Sequence, residues 1–140
     1  MTDKVDIDND PIIQGEQAQG LLELLSTWGP LTTIVFSGGC VFEFKGAFPK
    51  GTLGEGFYNF GHGNAAGFQG HLNLKNVKAI TFQDKLHRGR QSYAFVFRDK
   101  NNDCIFKVFL GRDESGELIH AQVDGFKEMQ AQAKQLKVNE

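Results

Sequence analysis

Residues 51–71, GTLGEGFYNFGHGNAAGFQGH, gather seven glycines around Phe57, Tyr58, His62 and His71. Imidazole and phenol can ligate iron or hold a polar ligand by hydrogen bonds, and glycine lets a backbone turn sharply or lie against a bound molecule. The same composition also suits a hairpin loosened by glycine, so a ligand site and a set of turns both fit this stretch. Within GHLNL, alternation puts Leu72 and Leu74 on one face of a strand and His71 with Asn73 on the other. His62, between Gly61 and Gly63, falls at a turn. His87 sits in the basic loop KLHRGR and His120 opens a C-terminal helix, so both are expected to face solvent.

Other chemistries lack their signatures. There is no G-x-S-x-G, and neither cysteine stands in a context that suggests a thiolate nucleophile. The glycine run leads into strand-like sequence and not into a helix whose N-terminus would hold a phosphate. Cys40 and Cys104 are far apart, each in an apolar strand pattern, which predicts two buried thiols and neither a disulfide nor a zinc site.

The elements that must carry these residues follow from hydropathy. A chain of 140 residues, 40% hydrophobic, can form one domain with a real core. Thirteen phenylalanines against one tryptophan and two tyrosines make that core aromatic, or line a pocket for a flat apolar ligand. Asp10-Pro11 is a helix-start signal, and the leucines up to Trp28-Gly29-Pro30 predict one amphipathic helix over Pro11–Trp28. From Leu31 the pattern turns to β through LTTIVF, CVFEFKGAF, EGFYNF, GFQGHLNL, VKAITFQ, SYAFVFRD and CIFKVFLG. After Gly111-Arg112-Asp113, the stripe Val123, Phe126, Met129, Ala133, Leu136 predicts a second helix. The expected fold is α+β, an antiparallel meander of about seven to nine strands flanked by N- and C-terminal helices.

The formal charge is −2, with five acids and one lysine among residues 1–16. The remainder is close to neutral and has no broad basic face, which speaks against nucleic acid as a partner. Residues 1–10 read as an acidic, mobile tail and residues 11–140 as a single domain. No apolar run reaches spanning length, and acids stand where a signal peptide would be basic. Insertion into a membrane is not expected, and the expected location is the cytoplasm.

Taken together, Trp28-Gly29 followed by LTTIV, CVFEFKGAFPKG, FYNF, GFQGHLNL and IFKVFLGRD before a final helix resemble the intracellular heme-utilisation carriers of the HutX and ChuX type. The resemblance runs from Trp28 to Leu136. It implies a cytoplasmic protein that binds heme and buffers, stores or transfers it, and a homodimer that rebuilds the fold of the two-repeat HemS/ChuS-type heme proteins. It also implies a heme acceptor as partner. His71 matches the family's GxxGH block and is the first candidate for the heme iron's axial ligand, with Tyr58 of the FYNF block as the alternative. Phe57, Phe60 and Phe68 could wall a slot for the macrocycle, His62 could be a second donor, and Lys50, Arg88 and Arg90 could meet the propionates. In relatives a histidine can follow the TT-x-V block, whereas Phe36 stands here, so ligation through that position is excluded. Two other readings stay open at this point, a heme-degrading enzyme and a β domain for an apolar ligand or flavin without iron chemistry.

Overall fold

A computed structural model of the protein describes residues 5–61 and 67–139. Nine strands and two α-helices are present among them, in the order β1 (Ile12–Gln14), α1 (Ala18–Leu25), β2 (Pro30–Ser37), β3 (Cys40–Ala47), β4 (Gly51–Gly54), β5 (Phe57–Phe60), β6 (Gly70–Leu72), β7 (Ala79–His87), β8 (Arg90–Arg98), β9 (Cys104–Leu110) and α2 (His120–Val138). All strand pairings are antiparallel, as the hydropathy predicts.

The strands divide into two sheets, a six-stranded one in the order β1-β7-β8-β9-β2-β3 and a three-stranded one, β4-β5-β6. The connectivity therefore departs from a simple meander, because β2 pairs with β9 across most of the chain. Alternation explains the layering. Leu31, Thr33 and Val35 of β2 share a face with Phe106, Val108 and Leu110 of β9 and with Phe95 and Phe97 of β8. Both helices and the small sheet cover that one face: Phe126 of α2 packs on Phe82 and Phe95, and Tyr58, Phe60 and Leu72 of the small sheet join the same core as Leu21, Leu22 and Leu25 of α1.

The expected helix over Pro11–Trp28 is corrected. Its first residues form β1, where Ile12 opposes Thr81 and Ile13 opposes Ile80. Two adjacent β-branched residues suit a sheet edge better than a helix. Gly15 then packs so close to β7's approach that a Cβ would overlap the Val77 carbonyl oxygen. After a 3-10 turn the α-helix spans only Ala18–Leu25, burying Ala18, Leu21, Leu22 and Leu25 on one stripe. From residue 5 the acidic segment is folded onto the domain: Asn102 Nδ2 donates to the Val5 carbonyl, and Lys137 Nζ to those of Ile7 and Asp8.

Gln122 joins three separate parts of the chain. It is buried at the start of α2, where its Oε1 accepts from Gly111 N at 2.7 Å while its Nε2 donates to the carbonyls of Trp28 and Pro30, both at 2.9 Å. Trp28 lies against Phe95, with ring centroids 6.0 Å apart, and against Gly125, where a Cβ would come within 2.7 Å of the indole.

Candidate functional site

The glycine-rich stretch is mainly the small sheet. Glu55 and Gly56, both at positive φ, make the tight turn between β4 and β5. Gly51 lies flat under the Tyr58 ring, where any Cβ would collide with it. His71 opposes Asn59 across β5 and β6, while Tyr58 opposes Leu72. Alternation therefore sends His71 and Tyr58 to opposite faces of one sheet.

His71 is exposed. Its Nδ1 is 2.6 Å from Asn59 Oδ1, and its ring meets Phe57 edge-on with centroids 6.2 Å apart. Tyr58 is only 1% exposed and packs in the core against Phe60. Among the described residues its hydroxyl has no hydrogen-bond partner. Burial, with the Glu23 charge second, pushes the phenol above its ordinary range and favours the neutral form, the poorer donor to iron.

Beside His71 is an apolar slot of about 300 Å³ between the two sheets. Phe60, Phe68 and the run Gln69–Leu72 form one wall. Thr33 and Val35 of β2, Phe42 and Phe44 of β3, and Ile105 and Phe106 of β9 form the other. The rings are packed together, with Phe68 5.1 Å from Phe44, 5.5 Å from Phe60 and 5.6 Å from Phe48. The slot is at the small end of ligand pockets and opens at the edge strand β3, where Phe42 is 53% exposed. A larger depression of about 690 Å³ over Gly15 and Leu74–Lys78 has neither a histidine nor an aromatic residue in its lining.

The structure brings Phe60 and Phe68 together at this slot, with His71 at its rim: the alternation that turns Phe60 and Leu72 inward sends the His71 ring, with Asn59 and Phe57, to the other face of the small sheet. His62 lies outside the described residues. Arg88 and Arg90 are at the β7–β8 turn, where Arg90 Nη2 donates to the Gly116 carbonyl. Phe97, opposite the slot residue Phe106, is seven residues from Arg90 along β8, roughly 23 Å at the rise of a strand. No lysine or arginine lines the slot among the described residues. Phe36 is on the outer face of the large sheet, with Lys107 Nζ 5.8 Å from its ring centroid. Cys40 and Cys104 correct the expectation of two buried thiols: Cys40 is exposed at the β2–β3 turn and Cys104 is half-buried, because β3 is an edge strand and β9 begins at a loop. Asn59, Phe42 and Phe44 escaped the sequence reading. The alternation in CVFEF signalled the two phenylalanines as one face, but only the sheet order shows them at an open edge.

The profile of the family described as Haem utilisation ChuX/HutX matches residues 12–129. The chain belongs to the ChuX/HutX family. The intracellular heme transport protein HutX of Vibrio cholerae is 44% identical over 124 residues, 89% of this chain and 64% of HutX, so the chain spans less than two thirds of that relative's length. The structure of the heme-binding protein ChuX superposes with a TM-score of 0.77 at 27% identity, over 89% of this chain and 77% of that one. A likeness of fold alone, TM-score 0.66 at 14% identity, extends to PhuS, a heme-binding protein from Pseudomonas aeruginosa, over 86% of this chain and 33% of PhuS. For a ChuX/HutX member the WG and FLGRD blocks have a structural reason: Trp28, Gly111 and Gln122 form the buried junction described above. Among the described residues no three His, Cys, Asp or Glu side chains are grouped to hold a bare metal ion. Heme iron asks for less, since the porphyrin supplies four donors and the protein one or two.

Proposed function

We propose that this protein binds heme in the cytoplasm, with His71 at the rim of the apolar slot as the axial donor and the exposed aromatic side chains around that rim against the macrocycle, and releases it to an acceptor. The observation that carries the reading is an exposed histidine, held by a neighbouring amide, beside an aromatic slot in a chain of the haem-utilisation family. A slot of this size covers only part of a porphyrin, and its open side is an edge strand whose apolar side chains are uncovered. A second copy placed there would complete the enclosure and cover the edge, so the working form is a homodimer. Among the described residues no helix is long and apolar enough to cross a membrane.

Titrating hemin into the apo-protein and following the Soret band tests the reading. His71→Ala is expected to weaken binding and alter the ligand band, whereas His87→Ala and His120→Ala leave both unchanged. A carrier keeps its heme under ascorbate and catalase until an acceptor is added. Loss of the Soret band with formation of a biliverdin-type product would make it an enzyme instead.

A further inference from the structure

Asn59 is half-buried in β5, and its amide is oriented by more than its contact with His71. Its Nδ2 lies 3.2 Å from the Thr52 carbonyl oxygen, 3.2 Å from that of Gly54 and 3.4 Å from that of Phe57. Three acceptors on one side leave the amide a single sensible orientation, because flipping it would set a carbonyl oxygen against three others. Oδ1 must therefore face His71 Nδ1, 2.6 Å away. That oxygen only accepts, so the imidazole has to present a proton on Nδ1, and in the neutral ring Nε2 is then left with its lone pair.

We propose that Asn59 is the positioning residue for heme iron: it holds neutral His71 as the Nδ1–H tautomer and so keeps Nε2 free to ligate. The inference rests on the reading of His71 as the donor. Asn59 acts on the ring twice over. It selects the tautomer before heme arrives, and its hydrogen bond limits rotation of the ring and makes Nε2 a stronger donor afterwards, as second-sphere partners of ligating histidines do. The β4–β5 hairpin has a role in this too, since its carbonyls set the amide.

The tautomer can be read without heme, by long-range proton–nitrogen correlation of the imidazoles in nitrogen-15-labelled apo-protein at a pH where His71 is neutral. The parent should show His71 protonated on Nδ1, and Asn59→Leu should lose that preference. Asn59→Asp, which keeps an acceptor for Nδ1–H, should retain it. With hemin, Asn59→Leu should bind about 10–100-fold more weakly than the parent. The iron–imidazole stretch of its ferrous complex should move to lower frequency, and His71→Ala should lack that band. A parent His71 protonated on Nε2 overturns the role of Asn59 even if a variant fails to fold, and so does an Asn59→Leu spectrum identical to the parent's. Survival of the same iron–imidazole band in His71→Ala removes His71 as the donor, and with it any role of Asn59 toward iron.

Discussion

Single side chains in this protein separate into those that hold a turn and those that meet a ligand. Asp113 is of the first kind. Its Oδ1 accepts from the Ser115 hydroxyl at 2.7 Å and from the backbone N–H groups of Ser115 and Glu117 at 2.9 and 3.0 Å. Those donors, the Ser115 hydroxyl foremost, hold the carboxyl below its usual range. A depressed carboxylate stabilises the fold above its unfolded pKa, and that contribution fades as the pH falls through the folded one. Urea unfolding of the parent and Asp113→Asn between pH 7 and pH 3 should show the parent more stable at neutral pH and the two converging in acid. Tyr58 makes the opposite case, a ligand-type residue folded inward. Tyr58→Phe should leave the Soret spectrum of the heme complex unchanged and lower stability by no more than about 1 kcal/mol in urea, since the hydroxyl it removes has no partner among the described residues.

Among the elements, the junction of α2 with the start of β2 and the end of β9 depends most on one residue. Gln122 satisfies one buried N–H after β9 and two carbonyls at the start of β2. Gln122→Leu keeps the volume but leaves those groups unpaired, each a loss of about 1–3 kcal/mol, softened where neighbours relax. The expected destabilisation is about 2–4 kcal/mol by urea unfolding. Hemin affinity of the folded fraction should be unchanged, because the slot is built from the other ends of β2 and β9. A shift in affinity without a loss of stability would mean that α2 communicates with the slot.

On the scale of the whole molecule, the decisive feature is that one face of the large sheet carries everything while β3 is left as a bare edge. All eight residues of β3 are exposed, among them Val41 at 57% and Phe44 at 40%. A long apolar edge in a folded protein calls for a partner strand or a covering surface. Light scattering at micromolar concentration should therefore give twice the mass of the chain. Val41→Lys, which puts a charge on that strand without touching the slot lining, should shift the protein toward monomer and weaken hemin binding through loss of the second copy's cover. A monomeric parent that binds hemin as tightly would leave β3 unexplained.

What could be read from the residues alone was whatever depends on local pattern or on blocks of sequence. The α+β class, the antiparallel strands and the ChuX/HutX resemblance follow from period-two alternation and from WG, GFQGH and FLGRD, which survive as words in the chain. His71, Phe60 and Phe68 were legible as candidates for the same reason. The tertiary structure decided the rest. Ile12 and Ile13 became a strand because β7 offered an edge, and Tyr58 faces the core because alternation in a paired sheet turned it there. Arg88 and Arg90 lie far from the slot because β8 runs in one direction only. Asn59 had no signal in sequence, since its meaning comes from a partner 12 residues away and three carbonyls of a hairpin. Local propensity is written residue by residue, whereas register and sheet order are properties of pairs distant in the chain, and a ligand site is made of such pairs.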